Sequence, residues 1–125
     1  MTPFLAALLA AAAAAAPPPA YATAAGRTVR LATGSYCWGT RCVDKLPPAG
    51  RTDLPRLRVA RGATVVLRLA FVPRRWTATV LGSGQTETLP RARTATWRAR
   101  RSGILALDVH AAAGSVGYLA RVAVR

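Results

Sequence analysis

Val65, Leu67, Leu69 and Phe71 fall at every second position, with Arg68 pointing the other way. Such alternation gives an extended chain one apolar and one polar face, whereas a helix, repeating every 3.6 residues, would scatter the same side chains around its circumference. The pattern recurs along the chain. Val29 and Leu31 share a face, and Leu57 and Val59 face away from Arg56 and Arg58. Trp76, Ala78 and Val80 follow, and Trp97 stands opposite Thr96, Arg98 and Arg100. Leu105, Leu107 and Val109 alternate with Ile104, Ala106, Asp108 and His110. Val116, Tyr118, Ala120, Val122 and Val124 close the series, with Arg121 and Arg125 outside. A shorter segment spans Thr86–Leu89. Turn signals stand at Arg61-Gly62, Gly82-Ser83-Gly84, Ser102-Gly103 and the Ala111–Ser115 loop. About seven short strands punctuated in this way predict an all-β domain over 28–125, an antiparallel β-sandwich. No helical period appears after Pro17, and there is no internal repeat.

The N-terminal segment is of another kind. Residues 4–16 form an uncharged apolar run, too short to span a bilayer, which takes roughly 20 residues. Pro17, Pro18 and Pro19 end any helix there. Ala20-Tyr21-Ala22 has the small-x-small form of a processing site. The segment therefore reads as a signal peptide over 1–22, cut after Ala22 or alternatively after Ala25. Residues 23–27 then form a short disordered arm before the domain. The mature protein is expected to be secreted and extracytoplasmic, with no transmembrane segment.

In that compartment Cys37 and Cys42 are expected to bond to each other, with Gly39 permitting the bend between them. Closing so short a loop contributes about 2 kcal/mol on the chain-entropy account. The C-x4-C spacing is not the C-x-x-C of redox motifs. A metal would need two further ligands, and His110 is the chain's single His. No metal and no cofactor is expected. A disulfide-rigidified loop presenting Arg41 to a trypsin-like enzyme is one alternative function, that of a protease inhibitor or protein-interaction module.

Catalytic material is scarce. Asp108 and His110 lie two apart on one strand face, so the carboxylate could orient the imidazole. A nucleophile would have to come from Ser35, Ser83, Ser102 or Ser115, none of which sits in G-x-S-x-G. A small hydrolase built on Asp108 and His110 is the second alternative. Asp44, Asp53, Glu87 and Asp108 are scattered, with no convergent pair for glycoside hydrolysis. No catalytic residues are assigned, and the expected protein is not an enzyme.

Charge is the unusual feature. Eighteen basic residues stand against 4 acidic ones, a formal net charge of +14, and Lys45 is the only Lys. A GC-rich coding bias accounts for Arg over Lys but not for the shortage of acids. Arg and Trp interleave in Pro73-Arg74-Arg75-Trp76 and in the stretch holding Arg91, Arg93, Trp97, Arg98, Arg100 and Arg101. A field of one sign attracts polyanions, and the guanidinium fork bonds two phosphate oxygens at once. Arg74, Arg75, Arg91, Arg93, Arg98, Arg100 and Arg101 are the expected polyanion-binding residues. The expected ligands are teichoic acid, acidic polysaccharide and anionic lipid. No nucleic-acid motif is present, so sequence-specific nucleic-acid binding is not expected.

Ser102–Val109 and Gly117–Val124 resemble the last two strands of bacterial immunoglobulin-like domains, and Gly34-Ser35-Tyr36-Cys37-Trp38 is similar to a segment of small exported or lipoprotein domains of Gram-positive bacteria. The resemblance, to small exported β-sandwich proteins of actinobacterial type, covers residues 28–125. It implies an exported, antiparallel immunoglobulin-like β-sandwich and carries no catalytic residues over to this chain. The function expected on all these grounds is a secreted binding or accessory protein.

Overall fold

The computed structural model describes residues 16–125. The apolar run expected to act as a leader therefore lies outside the described residues, apart from Ala16. The rest is a β-sandwich of 11 strands, with no α-helix among the described residues. One sheet has four strands: β1 (Tyr21–Ala24), β2 (Arg27–Arg30), β6 (Thr64–Arg68) and β9 (Thr94–Arg98), in the order β2-β1-β6-β9. The other has seven: β3 (Ala32–Trp38), β4 (Arg41–Val43), β5 (Arg56–Val59), β7 (Arg75–Val80), β8 (Gln85–Leu89), β10 (Gly103–Ala111) and β11 (Gly114–Val124). Its main path runs β4-β3-β11-β10-β7-β8, and β5 lies beside the end of β11.

The alternating residues named from the sequence supply the core. Leu57, Val59, Val65, Leu67, Trp76, Ala78, Val80, Trp97, Leu105, Leu107, Val109, Val116, Tyr118, Ala120 and Val122 are all buried in one cluster between the sheets. Two features differ from expectation. The strands number 11 rather than about seven, because the alternation marks neither β1 nor the hairpin formed by Ala32–Trp38 and Arg41–Val43. The β5–β11 pairing is parallel, Arg56 opposite Arg121 through Val59 opposite Val124, although every other pair is antiparallel.

Residues 23–27 are a correction. Instead of a disordered arm they belong to the β1–β2 hairpin, turned at Ala25 and Gly26. β1 is internal to its sheet, with Ala22 opposite Val29 on one side and Leu67 on the other. Ala20, Ala22 and Ala24 point into the core. Their small side chains suit a core that also holds Trp76, Trp97 and Tyr118, since large and small residues must interdigitate to fill the space. The chain is tied down before β1 as well. The Tyr118 hydroxyl donates to the Pro18 carbonyl at 2.6 Å, and the Leu31 amide donates to the Ala20 carbonyl. Burial pushes the Tyr118 phenol pKa upward, so the hydroxyl stays a donor.

The connections gather at two poles. At one, the chain enters through Pro17–Ala20 beside the β6–β7 and β8–β9 loops, where the Leu69 amide bonds the Arg93 carbonyl. At the other lie the β5–β6, β7–β8 and β9–β10 turns and the C-terminal Arg125.

A cut after Ala22 would fall inside β1, and one after Ala25 would remove that strand. A chain beginning at Pro17 should therefore unfold cooperatively. One beginning at Thr23 should melt far lower or fail to fold, having lost Ala20 and Ala22 from the core and the acceptor for Tyr118. Thermal unfolding of the two chains, followed by far-UV circular dichroism, checks this.

Candidate functional site

Charge placement begins with the strand period. Of the chain's 17 arginines, 15 are exposed; Arg121 is half-buried and Arg51 is buried. On the outer face of the four-stranded sheet, Arg30, Tyr21, Arg68 and Thr94 stand side by side in one cross-strand row. The next row is Thr28, Thr23, Val66 and Thr96, and Arg98 follows opposite Thr64. This face carries arginine, threonine, one tyrosine and one valine, with no carboxylate in any of the three rows.

The seven arginines expected to bind polyanions do not form one patch. Arg74 ends the β6–β7 connection, Arg75 opens β7, and Arg91 and Arg93 lie in the β8–β9 loop, all at the pole where the chain enters. Arg98, Arg100 and Arg101 sit at the opposite pole. There Arg100 and Arg101 join Arg61, Gly82, Ser83 and Ser102 in lining an open cleft of about 500 Å³. Arg61, within a turn signal, has nothing in sequence that marks it as a partner of residues forty positions away. The tryptophans interleaved with the arginines take no part in this surface. Trp76 and Trp97 are fully buried and Trp38 is nearly so. The period-two pattern already turns Trp76 and Trp97 away from the neighbouring arginines.

Acids do little to offset this charge. Among the arginines only Arg51 has a carboxylate within salt-bridge distance. Its guanidinium grips Asp53 through two bonds, at 2.9 and 2.6 Å, and donates a third to the Thr33 carbonyl at 2.7 Å. That fork pins the β4–β5 connection to the sheet, a structural use of arginine that charge counting does not reveal. Arg51 in turn holds the Asp53 carboxyl below the usual carboxylate range. Arg56 and Arg121, by contrast, stand directly opposite one another in the parallel ladder.

Asp108 and His110 do share a face of β10, with His110 Nε2 3.4 Å from Asp108 Oδ2. Ser115 lies across the ladder from His110, yet no hydrogen bond joins the two. Ser35, Ser83 and Ser102 bond backbone groups. The pair sits on an open sheet face, with Asp108 about 70% and His110 about 40% exposed. Water there screens charge at the pair.

Cys37 and Cys42 are disulfide-bonded, and no free cysteine is present. They face each other across the β3–β4 hairpin, whose turn is Gly39-Thr40. Arg41 is paired with Trp38 in that ladder rather than displayed on a protruding loop. No group of His, Cys, Asp and Glu among the described residues could hold a metal ion. No described helix is long and apolar enough to cross a membrane. No protein-family model matches the chain, and no curated protein or solved structure matches it either.

Two consequences are open to measurement. Because Asp53 titrates below its ordinary value when folded, its contribution is complete above the ordinary carboxylate pKa of about 3.9 and fades as pH falls through the depressed value. Asp53→Asn should therefore lower the melting temperature at neutral pH and lose that effect in strong acid. Arg56→Glu replaces a like-charge pair with an opposite one and should stabilise the domain by roughly 0.2–1 kcal/mol in urea titrations, less at high salt.

Proposed function

We propose that the domain is a secreted, non-enzymatic binding or accessory module that contacts anionic polymers or membrane surfaces of the cell envelope through its exposed arginines. The observation that carries this reading is the distribution of charge: 15 exposed arginines, none with a carboxylate within salt-bridge distance. Like charges held on one small body repel, and that cost is relieved when a polyanion supplies the missing counter-charge. The disulfide is compatible with an oxidising, extracytoplasmic setting. The outer face of the four-stranded sheet offers an extended track, with Arg30 and Arg68 flanking Tyr21 and threonine hydroxyls alongside. Such a surface positions a chain of anions by charge and hydrogen bonding without reading the identity of its units.

Binding of this kind releases counterions, so it weakens steeply as salt rises. The domain should be retained on immobilised teichoic acid or heparin at about 50 mM salt and released by about 500 mM, as the Debye length falls from about 14 Å to about 4 Å. Arg30→Ser with Arg68→Ser should bring elution to lower salt, whereas Arg41→Ala should shift it little. Failure to bind at low salt would leave the arginines a purely solubilising role.

A further inference from the structure

The arginines at the pole opposite the chain's entry differ from the rest in being built into a recess. Three turns meet there: β5–β6 at Arg61-Gly62, β7–β8 at Leu81–Gly84 and β9–β10 at Arg100–Ser102. Backbone hydrogen bonds fasten them together. The Gly62 amide donates to the Ala99 carbonyl at 2.7 Å, and the Ala99 amide donates to Ala63 at 3.1 Å. The Leu81 amide donates to Ile104 at 2.9 Å. Side chains reinforce the frame. Ser83 Oγ donates to the Val80 carbonyl and accepts from the Gln85 amide, and Ser102 Oγ accepts from the Val124 amide. Gly82 and Gly84 take the left-handed conformation at φ +78° and +77°, with nothing within 4 Å of where a Cβ would stand, so the turn leaves the space beside it open.

The result is a cleft of about 500 Å³ lined by Arg61, Arg100 and Arg101 and by no carboxylate. The frame fixes the backbone from which three exposed arginine side chains reach the recess, so their guanidiniums are gathered around it before a ligand arrives. They also present more donors than their surroundings use. Planar forks of this kind pair with two oxygens of one tetrahedral anion, and three of them match a doubly charged phosphoryl group or two consecutive phosphodiesters.

We propose that this polar cleft is a discrete, saturable site for phosphoryl groups, through which the domain grips a phosphate-bearing polymer at one point while the rest of its surface contributes only the general field. The proposal rests on the polyanion reading above and adds a location and a chemical class to it. The sulfates of heparin serve as the contrasting anion, since each is a singly charged ester and they are spread along a sugar chain, whereas the phosphoryl groups of polyphosphate are joined directly to one another.

The test uses the domain from Pro17 onward, inorganic polyphosphate and heparin as probes, and two variants of equal charge change. One carries Arg61→Ser, Arg100→Ser and Arg101→Ser. The other carries Arg74→Ser, Arg91→Ser and Arg93→Ser, at the pole of chain entry. At physiological salt, calorimetry or fluorescence titration should show polyphosphate binding weakened roughly tenfold or more in the cleft variant and within about threefold of the parent in the other. Heparin binding should drop by a similar, smaller factor in both. Backbone amide resonances of Gly82, Ser83 and Ser102 should shift saturably with polyphosphate in the parent domain. Circular dichroism melts of both variants confirm that folding is retained, and Arg101→Ser alone gives the same ordering should the triple variant fail to fold. Equal loss in the two variants would overturn the cleft and leave the general polyanion reading standing. Equal loss of heparin and polyphosphate in the cleft variant would overturn its phosphoryl preference. A parent domain that binds neither probe would overturn the polyanion reading together with the site.

Discussion

Strand β11 is the element on which the architecture depends. Along its 11 residues it pairs with β10 over nine positions, with β3 on the other edge of its first half, and with β5 along its last four residues. Its inward side chains Val116, Tyr118, Ala120 and Val122 form the centre of the core. One of them, Tyr118, reaches across to the carbonyl of Pro18 and so connects the large sheet to the chain's entry into the small one. Gly34 lies at the bulge where β3 gains a residue on β11, and a Cβ there would approach the Gly117 carbonyl to 3.3 Å. A side chain at Gly34 would require that carbonyl to shift by a few tenths of an ångström.

A fold secured in this way can carry a surface that works against it. The apolar core and the ladders are indifferent to what stands outside, and the outward positions of the four-stranded sheet are filled mostly with arginine and threonine. Only at Arg51 is the guanidinium drawn inward, and there it is matched by two carboxylate oxygens and a carbonyl. The opposed Arg56 and Arg121 show the reverse case, a local repulsion tolerated because the flanking Leu57–Val122 and Val59–Val124 contacts hold the register.

The sequence pattern was legible wherever one face of a strand is buried and the other wet. Leu105, Leu107 and Val109, or Val65 and Leu67, announce both the strand and its inner face. It was illegible where the apolar signal is uniform. Alanines 20, 22 and 24 sit downstream of a long alanine run and look like its continuation, so an internal strand passes for part of a leader and its arm. Ala32–Trp38 hides for a different reason, since Gly34 and Ser35 at the bulge break the alternation. The candidate site was legible as composition and not as place. Sequence marks Arg100 as outward and Arg101 as its basic neighbour, but their meeting with Arg61 and the Gly82–Gly84 turn is a product of sheet topology.

That topology also imposes an order of events on the chain as it is made. Ala22 pairs with Leu67, which lies 45 residues further along, and β6 in turn pairs with β9. When β1 and β2 emerge first they can form only a two-stranded ribbon, which is marginal in water by itself. Its alanine face and Leu31 must then wait, uncovered, until β6 arrives between β1 and the still later β9. The small sheet is therefore completed by insertion of late strands against an early hairpin, and the core seals only once β11 has placed Tyr118 beneath Pro18. A chain threaded through a membrane from its N-terminus would thus present this unfinished edge to the far side throughout translocation. The brevity of β1 and β2, four residues each, and the arginines at both ends of β2 limit how readily that edge can recruit another chain.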